Sequence, residues 1–79
     1  MNKLLCFTAH WCSPCKEMQP ILDQLDQSRL IRYDVDKAVD ERVKYKISAI
    51  PTFILIDEQG NELERIRGYT SIESLQNLL

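Results

Sequence analysis

Seventy-nine residues, 44% hydrophobic and 28% charged, make one domain spanning 1–79 with a thin core margin and no room for a second. A net charge of −2 with basic residues scattered along the chain offers no nucleic-acid or membrane surface, and no apolar run approaches the roughly 18 residues of a transmembrane helix. Three cysteines, an odd number, argue against a disulfide scaffold.

Lys3–Thr8 is β-prone and mostly apolar, which suits a buried first strand. Ala9–Ser13 reads as a short loop. Pro14 fits the first turn of a helix, where its missing N–H costs nothing. Met18, Ile21, Leu22 and Leu25 then follow at helical spacing, and Pro20 inside that helix removes one backbone bond and bends the axis. Leu30–Asp36 alternates as a second strand, with Ile31, Tyr33 and Val35 on one side. Ala38–Lys46 reads as a short helix whose apolar face carries Val39, Val43 and Ile47. Thr52–Asp57 is a strongly apolar third strand and Glu58–Asn61 a turn. Glu62–Gly68 alternates less cleanly as a fourth strand around Leu63 and Ile66. Ser71 can cap a last helix running through Leu79. The order is β-α-β-α-β-β-α. It predicts a parallel pairing of the first two strands, an antiparallel hairpin of the last two, and a four-stranded mixed sheet flanked by helices.

The chemistry concentrates in Trp11-Cys12-Ser13-Pro14-Cys15-Lys16. The three-residue spacing places two thiols close enough to close a disulfide on each other. A thiol at a helix start faces unpaired N–H groups and the positive end of the helix dipole, and both favour the reactive thiolate. The competing use of such a pair is half of a four-ligand zinc site. That use needs two more ligands, for which only Cys6 and His10 are at hand, so no metal site is expected. Leu4–Phe7 is too short for the core of a signal peptide. With Met1 as the start, the expected compartment is the reducing cytoplasm, where a cysteine pair reads as catalytic or metal-binding.

Over its whole length the chain resembles thioredoxins in an abbreviated form. The landmarks are the Trp11–Lys16 motif, Pro20, Asp34-Val35-Asp36, Ile50-Pro51-Thr52, Gly60 and Gly68. The resemblance implies a minimal thioredoxin fold, α/β in class, with Ile50–Pro51 a cis peptide bond packed beside the cysteines. It also implies a thiol-disulfide oxidoreductase that reduces protein disulfides. Cys12 is then the nucleophile that forms a mixed disulfide with the substrate. Cys15 attacks Cys12 and releases the reduced product. No cofactor is expected beyond the redox-active Cys12–Cys15 disulfide. The implied electron donor is a thioredoxin reductase, and the implied state a monomer.

Departures from the family pattern are visible. The N-terminal strand and helix of standard thioredoxins have no counterpart, which leaves the minimal core that glutaredoxins also use. Ser13 stands where glycine is typical. Cys6 stands where thioredoxins carry a buried aspartate that relays the proton of the second cysteine, and Arg32 replaces a nearby lysine. The alternatives are a glutaredoxin-like enzyme recharged by glutathione, favoured by the short length but not by the Ser-Pro pair between the cysteines, and a thioredoxin-fold binding module, which would not need both thiols.

The remaining candidates each carry two readings. Trp11 is an aromatic packed beside the loop or the flat rim of a peptide groove. Ser13 offers its hydroxyl to the thiolate or to water, and Pro14 stiffens the helix start. Pro51 opens an apolar strand or, with Ile50, presents backbone to an extended substrate. Gly68 permits a turn and leaves space at the groove. Cys6 is a small buried hydrophobe or a third redox thiol. His10 is solvated or supports the Cys12 thiolate. Lys16 is a surface residue with a minor electrostatic effect on Cys12. Asp34 and Asp36 cap the strand end and the next helix, or one of them acts as a base.

Overall fold

The computed structural model describes residues 1–79. Two apolar strands, β1 (Lys3–Thr8) and β3 (Thr52–Ile56), run antiparallel through the middle of one sheet. β2 (Leu30–Asp34) pairs parallel to β1 on one edge, and β4 (Glu62–Arg67) pairs antiparallel to β3 on the other, giving the order β2-β1-β3-β4. Both expected pairings are therefore present. The expected elements appear in the expected order, with α1 at Ser13–Asp23, α2 at Val39–Lys44 and α3 at Ile72–Leu78. A 3₁₀ turn at Gln27–Arg29, which periodicity did not indicate, leads into β2.

Strand alternation splits the interior into two cores. Leu4 and Cys6 on β1, with Phe53 and Leu55 on β3, pack with Met18 and Leu22 of α1 and Leu75 of α3. Leu5, Phe7 and Ile54 face the other way and pack with Val35 and both Cys12 and Cys15. Tyr33 and Tyr45 lie over Phe7, with ring centroids 5.0 and 6.0 Å away. Thr52 is the one buried polar residue outside the apolar set, and its hydroxyl donates to the Ala49 carbonyl at 2.6 Å. Arg29 ties the chain ends together through the carbonyls of Asn2 and Leu79. Ser71 caps α3 by accepting the Ser74 N–H at 3.2 Å, as expected.

Three apolar expectations are corrected. Val39 and Val43 do not form a buried face: both are exposed, and α2 buries none of its residues. The inward contacts come from Tyr45 and Ile47 instead, which follow the helix. Lys46 between them turns the chain with a φ of 53°. Ile31 is exposed because β2 is an edge strand with little above it. Leu63 is half exposed because the β3–β4 register jumps: Leu55 faces Glu64 and Ile56 faces Glu62, so Leu63 bulges out of the ladder. That bulge is why the fourth strand alternates imperfectly in sequence.

Candidate active site

β1 carries the chain to the end of the central strands where α1 begins, and the turn between them is closed by the Cys12 N–H donating to the Ala9 carbonyl at 3.2 Å. Cys12 is the N-cap of α1. Its backbone is extended and its sulfur accepts the Cys15 N–H at 3.3 Å, the place usually taken by a side-chain oxygen. Pro14 sits in the first helical turn, as its fixed φ allows. Across the groove, the Cys12 thiol points at the Ile50 carbonyl oxygen at 4.0 Å. The Ile50–Pro51 bond is cis, as the family resemblance implies. The sequence thus brings Cys12, Cys15, Ile50 and Pro51 to one place from two loops far apart in the chain.

The two thiols differ in access. Cys12 keeps 7% of its surface and Cys15 none, so Cys12 is the outer thiol of the pair. Cys12 is more covered than a loop position suggests, because it packs with Ala9, Phe7 and Val35. Burial, and then the hydrogen bond to the Cys12 sulfur, pushes the Cys15 thiol up to about 11, so Cys15 holds its proton at neutral pH. Cys6 lies in the opposite core with Met18 and Phe53. Its thiol, pushed up to about 12 by burial and only partly drawn back by Arg32, behaves as the small hydrophobe of the first reading. Arg32 is its ladder neighbour on β2, but the guanidinium turns outward to Asp23 at 2.8 Å and to Gln19 and Gln27.

The Cys6 environment has a consequence for stability. The folded thiol holds its proton to about pH 12 against an ordinary value of 9.0, so its stabilising effect is complete below about pH 9 and fades as pH rises toward 12. Cys6→Ala is expected to lower stability by about 1 kcal/mol at pH 7. It should also flatten the loss of stability between pH 8 and pH 10.5. Urea midpoints at several pH values check this; equal alkaline slopes in both proteins would contradict it.

Trp11 is exposed, and its indole N–H donates to Asp36 Oδ2 at 2.9 Å. A groove of about 150 Å³ runs from Trp11 past Val35 and Ile47 to Ile50. Asp36 as its anchor left no local signal, since the two residues are 25 apart. Asp34 accepts the Asp36 N–H at 2.9 Å, which ends the strand as expected. Neither aspartate caps α2, whose N-cap Ala38 has no side-chain bond. His10 is solvated, 3.8 Å from Asp36. His10, Asp34 and Asp36 are the one group of three ligating side chains close enough to share a cation, and the group contains no thiol. Ser13 and Pro14 are exposed beside Cys12, but the polar partners of the Cys12 sulfur are the Cys15 N–H and the Ile50 carbonyl, with no Ser13 hydroxyl among them. Lys16 is exposed, as expected. Gly68 adopts a φ of +88° and donates its N–H to the Pro51 carbonyl at 2.7 Å. Open space surrounds its missing Cβ, so glycine is set here by the backbone conformation rather than by crowding.

The thioredoxin family model matches residues 1–79. Thioredoxin of Bacillus subtilis is 35% identical over 78 residues, which cover 92% of this chain and 74% of that protein. Thioredoxin H2 of Arabidopsis thaliana is 37% identical over 73 residues, covering 85% of this chain and 54% of its own length. Among solved structures, oxidised mitochondrial thioredoxin 3 of Saccharomyces cerevisiae superposes with a TM-score of 0.83 at 34% identity, over 96% of this chain and 74% of that one. Likeness at this level carries the activity as well as the fold, and neither the glutaredoxin-like enzyme nor the binding module is favoured. The chain belongs to the thioredoxin family, as a thiol-disulfide oxidoreductase with protein substrates.

Proposed function

We propose that Cys12 and Cys15 are the working dithiol and carry the electrons without any other cofactor. The Cys12 thiolate attacks one sulfur of a substrate disulfide. A Cys12–substrate bond forms and the second substrate sulfur leaves as a thiol after taking a proton. Cys15 then gives up its proton and attacks the Cys12 sulfur. The Cys12–Cys15 disulfide forms, and the first substrate sulfur leaves reduced. Two electrons and two protons pass to the substrate. What supports this order is the access difference between the thiols, with Cys12 at 7% exposure and Cys15 at none. The N-cap position adds to it, since the Cys15 N–H at the start of α1 donates to the Cys12 sulfur.

The substrate segment lies extended along Ile50, whose carbonyl already faces the Cys12 sulfur, with exposed Trp11, Ser13 and Pro14 beside it and the buried Pro51, held by the Gly68 N–H, fixing the Ile50 backbone. The protein works as a monomer in the cytoplasm and is recharged by a thioredoxin reductase rather than by glutathione. Insulin reduction coupled to NADPH oxidation tests the donor. Turnover is expected with thioredoxin reductase and none above background with glutathione and glutathione reductase. The reverse pattern would overturn the donor assignment.

A further inference from the structure

Basic residues scattered in the sequence converge in space. Lys44 and Lys46 at the end of α2, with Arg65 and Arg67 on β4, line an open cleft of about 620 Å³ in which Glu62 is the one carboxylate. Arg65 is already committed: it holds both Glu62 oxygens at 2.7 and 2.9 Å and the Tyr45 carbonyl at 2.6 Å, fastening β4 to the end of α2. Its bidentate pairing with Glu62 neutralises the only acid of the cleft. Lys44, Lys46 and Arg67 are exposed and form no ion pair, although the chain as a whole is acidic. Lys44 has Asp40 and Glu41 as neighbours on its outer side, so the cationic surface opens toward β4.

The cleft is joined to the thiol groove. Arg67 is the ladder partner of Thr52, which follows Pro51, and the next residue, Gly68, donates to the Pro51 carbonyl. A chain lying along Ile50 therefore passes near the Arg67 end of this cleft. The three exposed cations come from two separate stretches of chain, and the Lys44 ammonium lies over the Tyr45 ring, 5.3 Å from its centre, so they are spread along the cleft rather than gathered around one fixed phosphate. They suit several carboxylates spread along a chain.

We infer that the cleft lined by Lys44, Lys46 and Arg67 receives an acidic segment flanking the target disulfide, so that substrates of acidic sequence are preferred. This rests on the proposed substrate path along Ile50. The probes are two peptides alike except that the residues flanking their disulfide are Glu in one and Gln in the other. At an ionic strength of about 0.01 M, where the screening length is about 30 Å, the Glu peptide is expected to react about tenfold faster per unit concentration. At about 1 M, with a screening length of about 3 Å, the ratio should fall to about 1. A triple variant, Lys44→Gln, Lys46→Asn and Arg67→Gln, should bring the ratio to about 1 at low salt as well; asparagine tolerates the positive φ of Lys46. Equal rates for both peptides with the unmodified protein at low salt would overturn the preference and leave the reductase reading intact. A preference that survives in the triple variant would overturn the cleft assignment. Reduction of neither peptide would overturn the reductase reading on which it depends.

Discussion

Cys12→Ser is expected to lower disulfide reduction by more than about 10³-fold, the scale on which enzymes fail when the nucleophile is lost. The serine oxygen can still accept the Cys15 N–H that the sulfur accepts at 3.3 Å, so the start of α1 keeps its cap and the fold survives. Cys15 cannot take over. It is fully buried, and burial together with the Cys12 contact pushes its thiol up to about 11. Thermal unfolding close to that of the unmodified protein, alongside lost insulin reduction, separates lost chemistry from lost structure. Retained turnover would remove Cys12 from the nucleophile role.

Phe53→Ala is expected to produce the largest loss of stability. Phe53 is fully buried on the central strand β3, between its ladder neighbours Cys6 and Ile66. Truncating a buried phenylalanine costs about 3–5 kcal/mol. Whole domains hold only about 5–15 kcal/mol, and a chain of this size buries too little surface to sit at the upper end. The variant should therefore show a much lower urea midpoint and lose activity on mild warming. Leu63→Ala, at the half-exposed bulge, is the control and should shift stability by no more than about 0.5 kcal/mol. Similar midpoints for the two variants would mean that the core is not organised around β3.

The element order, the β1–α1 junction and the face of α1 that carries Met18 and Leu22 were all legible, because local spacing dictates them. The face of α2 was not. Val39 and Val43 recur at helical spacing, but a six-residue helix ends before that spacing has to face the core, and the turn at Lys46 sends Tyr45 and Ile47 inward instead. Ile31 and Leu63 misled for a related reason: alternation in sequence does not say which strand is an edge or where a ladder slips. At the site, the cysteine pair and Ile50–Pro51 were named by motif. The bond from Trp11 to Asp36 joins residues 25 apart, and the basic cleft joins the end of α2 to β4, so both exist only once the chain is folded.

The division of labour between the thiols is tested most directly by trapping. Cys15→Ser should stop the reaction after the first step, leaving the protein joined to its substrate through one disulfide. Incubating the reduced variant with a disulfide peptide, then digesting and mapping the adduct by mass, identifies the attacking sulfur. The expected result is one peptide per chain, attached at Cys12 and released by dithiothreitol. Attachment at Cys6, or no adduct from a folded variant, would contradict the assignment of Cys12 as nucleophile and Cys15 as the resolving thiol.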